Sequence, residues 1–199
     1  MSRVMNKKNN AVDFDEEARL LWERLNLDPS AHKQGKWNPL DPIWRHPEGG
    51  GIIYVGNQTA AEDLNLLRNY NVTHVVNCTI GGSQIPNYHE KSGAIQYYRF
   101  PISHWKMYCD ERDQSILAFT TDLFQFLESA ICNGTNVMVH CLAGAHRAGT
   151  TGCACLVHFA GMDVPTAIAS AKRCRPIIDP IGGLPEFLDR LYRAEHSRK

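Results

Sequence analysis

Neither sign of charge dominates this sequence: 21 Lys and Arg residues face 21 Asp and Glu, for a formal net charge of zero. Such a chain has no global field to draw in nucleic acid or an anionic membrane, so neither is expected as a partner. Only a local positive cleft remains open to it. No apolar run approaches the roughly eighteen residues needed to span a bilayer, which excludes an integral membrane segment from the reading. Arg3, Lys7 and Lys8 near the start have no apolar stretch behind them, so the N-terminus does not read as a secretory signal. Internal repeats and low-complexity segments are missing as well.

What is present is ordinary in bulk. The chain has 199 residues, 43% of them apolar, enough for one domain with a core that needs neither disulfides nor metal to fold. Its seven cysteines are an odd count, and without a secretory signal they read as free thiols in a reducing compartment. The expected location is the cytoplasm, with the nucleus as an alternative. The Asn-x-Thr sequons at Asn57, Asn71, Asn77 and Asn133 are then not expected to carry sugar.

Along the chain, residues 1–12 are polar. The stretch Asp15 to Leu25 predicts an amphipathic helix with acids in its first turn, stopped by Asp28-Pro29. Residues 30–50, rich in Pro, Gly and Trp, read as an irregular arm in which Trp37 and Trp44 are packing anchors. The division is therefore an N-terminal arm over 1–50 and a domain over 51–195. From Gly51 strands and helices alternate. Strands are predicted at 51–55, 72–77, 95–100 and 136–140, and a helix opens at a Thr59 to Glu62 capping box. A long helix is predicted over 115–132, and further helices from about Ala148, Asp163 and Leu184. That order argues for a three-layer α/β fold, a mostly parallel central sheet flanked by helices.

The chemistry concentrates after the fourth strand, in His140-Cys141-Leu142-Ala143-Gly144-Ala145-His146-Arg147. Ligands of open α/β sheets sit beyond the carboxyl ends of strands. A small-residue loop that turns straight into a helix N-terminus offers backbone N–H groups and a positive dipole end, a cradle for a tetrahedral dianion. The same groups favour the thiolate of a cysteine at the base of the loop. Arg147 adds a planar fork that holds two phosphoryl oxygens at once. Cys141 and Arg147, with the loop from Leu142 through His146, are thus equipped to displace an alkoxide from phosphorus without metal or cofactor. Cys153, Cys155 and His158 do not make a zinc site, since positions two apart on a helix face away from each other. Lys172, Arg173 and Arg175 end a helix and read as a solvated basic face.

These residues, with Gly51-Ile52-Ile53-Tyr54-Val55-Gly56-Asn57, Thr73 to Asn77, Arg175-Pro176-Ile177 and Phe187 to Leu191, resemble the dual-specificity subgroup of cysteine-based protein tyrosine phosphatases. The resemblance covers about Gly51 to Tyr192. It implies that Cys141 forms a phosphocysteine, that Arg147 and the loop amides hold the equatorial oxygens, and that His140 hydrogen-bonds around the base of the loop. The substrate implied is a protein phosphorylated on tyrosine and on serine or threonine; the Lys-Asn-Arg-Tyr loop that deepens tyrosine-specific pockets is missing. A glucan or phosphoinositide substrate, or a phospho-binding pseudophosphatase, are the alternatives.

The family carries an aspartate soon after a Pro-Ile pair as general acid, but Pro101-Ile102-Ser103 leads here to His104. Spacing back from Cys141 favours Asp110, across an insertion of about six residues. Asp113 is the rival, although it also stands where a helix cap would, and Glu111 is third. Two further departures stand out. Ala148 replaces the usual hydroxyl residue after the arginine, leaving Thr150 and Thr151 as the nearest hydroxyls and implying slow turnover. His146 replaces a small residue and reads as part of the rim, with a pH-dependent positive charge near the phosphate as the alternative. Cys78, just after the second strand, matches a cysteine that bonds the nucleophile on oxidation in some relatives, which makes it a candidate redox partner of Cys141.

Overall fold

A computed structural model of the chain describes residues 12–28, 38–80 and 85–197. In order these form α1 (Phe14–Leu25), β1 (Leu40–Arg45), β2 (Ile52–Gly56), α2 (Gln58–Glu62), α3 (Leu64–Asn69), β3 (Val72–Asn77) and β4 (Gln96–Arg99). They continue with α4 (Trp105–Tyr108), α5 (Gln114–Ile131), β5 (Asn136–His140), α6 (Arg147–Ala160), α7 (Val164–Cys174) and α8 (Leu184–His196). The sheet order is β1-β2-β5-β3-β4; β1 runs antiparallel and the other pairs are parallel.

Side-chain alternation builds the layers. Ile53, Val55, Val76, Val137 and Val139 enter one core with α5, α6 and α8. Their neighbours Tyr54, Val75 and Met138 point the other way, into a second core with Ala60, Ala61 and Leu67 of the α2–α3 side. The result is the three-layer α/β arrangement with a mostly parallel sheet. Gly56 and Asn77 both stand opposite His140 in register, so β2, β5 and β3 end at one level and open a common edge. Among the described residues no single helix is long and apolar enough to cross a membrane.

Several local expectations shift. Residues 40–45, read as part of an irregular arm, are an edge strand paired with β2. Pro42 is tolerated there because an edge strand has one side free of ladder bonds, and the register shifts beside it. Trp44 anchors this strand by stacking on Phe159 at 5.3 Å; Trp37 lies outside the described residues. Asn57, not Thr59, caps α2, its side chain accepting from the Ala60 amide at 2.9 Å. Asp63 then breaks the expected single helix and caps α3. α1 stops at Asn26, which takes a left-handed conformation at φ 51°, two residues ahead of Asp28.

Candidate active site

β5 delivers Cys141 to the sheet edge, and α6 begins six residues later at Arg147. The loop between them is shaped from outside, through its carbonyls. The Gln58 amide donates to Leu142 O at 3.0 Å, and the Asp179 amide to Ala145 O at 3.1 Å. Arg175 donates from Nη2 to Ala143 O at 3.0 Å and from Nε to Gly144 O at 2.9 Å. A trans peptide sets each C=O opposite the following N–H. Four carbonyls drawn outward therefore aim the N–H groups of Ala143, Gly144, Ala145 and His146 toward the interior of the loop, above Cys141.

One position requires glycine. Gly144 has φ +68°, and a Cβ there would lie 2.4 Å from Gly56 O. The loop is thus pressed against the end of β2, which fixes its curvature.

Arg175 is the residue that sequence reading misplaced. Instead of a solvated helix end, its side chain is 1% exposed and bonds Asp41 Oδ2 at 2.6 Å and Asn38 O at 2.8 Å besides the two loop carbonyls. Its partner comes from β1, 134 residues away in sequence. The Pro next to Arg175 and Asp41 in a Pro- and Trp-rich stretch were the traces of this pair in the sequence.

Arg147 starts α6 with its guanidinium turned into the loop. Burial opposes its charge, but nearby Cys141 and Asp15 more than offset that. Its Nε is buried without a partner among the described residues. Cys141 itself is 2% exposed. His140 is fully buried below it, and burial pushes its pKa down to about 3, more than the Cys141 backbone can offset by favouring the protonated form. It is a neutral ring at any working pH, and neither ring nitrogen has a hydrogen-bond partner among the described residues, so the bonding expected of it around the base of the loop is not seen.

A cysteine, a guanidinium fork and an amide cradle thus meet at one helix end. A family profile described as "Dual specificity phosphatase, catalytic domain" matches residues 53–196. The chain belongs to the dual-specificity phosphatase family. The Drosophila melanogaster dual specificity protein phosphatase Mpk3 is 33% identical over 130 residues, 65% of this chain and 29% of that protein. Human dual specificity protein phosphatase 9 is 29% identical over 154 residues, 74% of this chain and 37% of that protein. The chain therefore spans about a third of the length of these relatives. The crystal structure of human DUSP28 shares the fold at a TM-score of 0.59 and 21% identity, covering 82% of this chain and 99% of that one.

Against that family frame, the remaining residues take definite places. Cys78 follows β3 directly; its amide donates to His140 O at 2.8 Å, and its thiol shares a core cluster with Cys141. Burial pushes the Cys78 thiol well up, so it is a thiol, hydrogen-bonded to Thr151 Oγ1 at 3.3 Å. Thr150 donates its hydroxyl to His146 O at 2.6 Å, and Thr151 to Arg147 O at 3.0 Å. Both protons are thus committed to the backbone, and Ala148 beside them is fully buried. His146 is buried, not on the rim, with Nδ1 2.7 Å from Asp179 O. His158 turns to Glu195 at 2.6 Å and stacks on Phe124.

The carboxylates before α5 separate clearly. Asp113 makes no cap bond; it is held by Arg193 at 2.7 Å and Arg190 at 3.2 Å, both from α8. Asp110 is exposed and bonded by Arg112 Nε at 2.9 Å and Nη2 at 2.5 Å, which holds its pKa down to about 2. Glu111 is exposed beside it. The segment ahead of Asp110 forms α4, clamped by Trp105, whose Nε1 donates to Gly183 O at 3.1 Å while Arg190 lies over its ring.

Proposed function

We propose that this chain hydrolyses phosphotyrosine, and phosphoserine or phosphothreonine, in proteins through a phosphocysteine intermediate that breaks down slowly. The observation that carries the reading is the loop whose four carbonyls are tied outward, leaving its amides and the Arg147 fork around Cys141. In the first step Cys141 Sγ attacks phosphorus as the ester oxygen departs. Charge gathering on the equatorial oxygens meets donors already in place, so little reorganisation is required. The departing oxygen takes a proton from Asp110, which must first leave Arg112 because in that pair it is ionised. Asp113, bound by two arginines, is the less available acid. In the second step water attacks the phosphocysteine, expelling the thiolate. Ala148 offers that thiolate no hydroxyl, and Thr150 and Thr151 donate elsewhere. Loss of one oriented donor to a developing charge costs about 3 kcal/mol, so breakdown is the slow step.

Rapid mixing with an aryl phosphate tests this. The expected trace is a stoichiometric burst of phenol followed by slow turnover, with both phases absent in Cys141→Ser. Binding of a phosphopeptide with no phenol released would instead make the chain a binding module.

A further inference from the structure

The arginine at the end of this loop already holds a carboxylate, and it comes from this chain. Arg147 Nη2 donates to the Asp15 carboxylate in the first turn of α1. The Phe14 ring sits 5.8 Å from the same guanidinium carbon. One turn on, Ala18 and Leu21 are buried against Ala143 and Ala145, with Trp22, Leu142 and Ile177 around them. Ahead of the helix, Val12 lies beside Gly182, where a Cβ would come within 2.8 Å of it. α1 therefore lies across the mouth of the loop, touching its wall and its arginine together.

We infer that α1 is an intramolecular pseudosubstrate: Asp15 takes the place of a phosphoryl group on Arg147 and closes the loop until a phosphorylated substrate displaces it. This inference rests on the phosphate-binding role proposed above. A carboxylate matches the guanidinium fork with two coplanar oxygens, as two phosphoryl oxygens do. It brings about one negative charge, however, where a phosphomonoester brings nearly two and a third acceptor oxygen for the loop amides. The substrate is the better occupant of the same donors.

The seat is also weak enough to open. Only Ala18 and Leu21 of α1 are buried, and the Asp15 side chain is 37% exposed whereas that of Arg147 is 6% exposed. A helix held by few buried contacts and one partly wetted ion pair belongs to the part of a fold that opens locally. Neither Asp15 nor Leu21 belongs to the catalytic machinery, so both can be changed without touching it.

The test uses the full chain with Asp15→Asn and, separately, Leu21→Glu. Steady-state hydrolysis of p-nitrophenyl phosphate and the rate of S-carboxymethylation of Cys141 by iodoacetate are both read, the latter by peptide mass with Cys141→Ser as blank. Iodoacetate is an anion whose carbon accepts the thiolate as iodide leaves, so it reports access to the loop without needing turnover. If the loop is open about one time in ten at rest, each variant lowers KM about tenfold at unchanged kcat and speeds carboxymethylation by a similar factor. Equal KM and equal carboxymethylation in both variants and the unaltered chain overturn the inference. If no form hydrolyses the phosphate, the proposed activity fails, while faster carboxymethylation in the variants still upholds the closure by α1.

Discussion

Replacing Arg175 by Met is expected to damage stability and activity together, for separable reasons. The Arg175 and Asp41 side chains are 1% and 10% exposed and bond at 2.6 Å. Removing one member of such a buried pair leaves the other charge without compensation and costs about 3–5 kcal/mol. Against a total stability of about 5–15 kcal/mol for a domain, that is a large fraction. The same substitution strips the donors from Ala143 O and Gly144 O, so the loop loses the outward pull on two of its four carbonyls. Guanidinium denaturation followed by tryptophan fluorescence measures the first effect; kcat/KM on an aryl phosphate measures the second.

The double variant Arg175→Met with Asp41→Leu separates the two. Removing the stranded carboxylate restores much of the stability, because buried ion pairs exchange for apolar groups at little net cost. Activity stays low, since no donor returns to the loop. A single variant within 1 kcal/mol of the unaltered chain, or a double variant with full kcat/KM, would refute the assignment of Arg175 as the positioning residue of the loop.

Three further outcomes follow from groups already described. Arg112→Ala frees Asp110, whose pKa then rises from about 2 toward the ordinary carboxylate value; a general acid works only while protonated, so the falling limb of kcat/KM, which reports the first step when breakdown is slow, moves upward in pH for a phosphoserine peptide, and an unmoved limb removes Asp110 from the mechanism. His140, held neutral by burial with a pKa of about 3 against 6.5 when unfolded, contributes stability that is intact above pH 6.5 and is lost as pH falls toward 3. Each pH unit in that window costs up to about 1.4 kcal/mol, and urea midpoints at pH 7 and pH 5 should converge in His140→Asn relative to the unaltered chain. Hydrogen peroxide should convert the Cys141 thiolate to a sulfenic acid, releasing hydroxide or water, and the Cys78 thiol should then displace water to form the disulfide. Non-reducing peptide mapping that finds only sulfinic Cys141 speaks against that pair.

Which of these features could be read from sequence depended on how far apart the cooperating residues lie. β5 and the loop after it were legible because a buried strand, a small-residue turn and a helix start are contiguous over 136–147. α1 was legible from its periodicity, although its end at Asn26 depends on a left-handed residue that composition alone does not single out. β1 was not legible, since Pro39 and Pro42 are poor strand formers and only pairing with β2 makes the segment extended. Arg175 looked like any basic residue at a helix end until Asp41 was brought to it. Asp113 looked like a cap because it directly precedes α5, but two arginines on α8 claim it.

Two aspartates from the first 45 residues thus reach two arginines on opposite sides of one loop, and their burial decides what each does. Asp41 meets Arg175 outside the loop, in a pair almost wholly removed from water and fastened to a strand of the sheet. Opening it would break a pair of charges held almost wholly out of water, so it is a fixed brace. Asp15 meets Arg147 inside the loop, on a helix with two buried residues, and more than a third of its side chain is wet. Water can take over its oxygens as it leaves, and a phosphoryl group can take over its arginine, so it is exchangeable. The brace keeps the amides aimed inward whether or not the loop is filled; the exchangeable carboxylate decides whether a substrate finds them free.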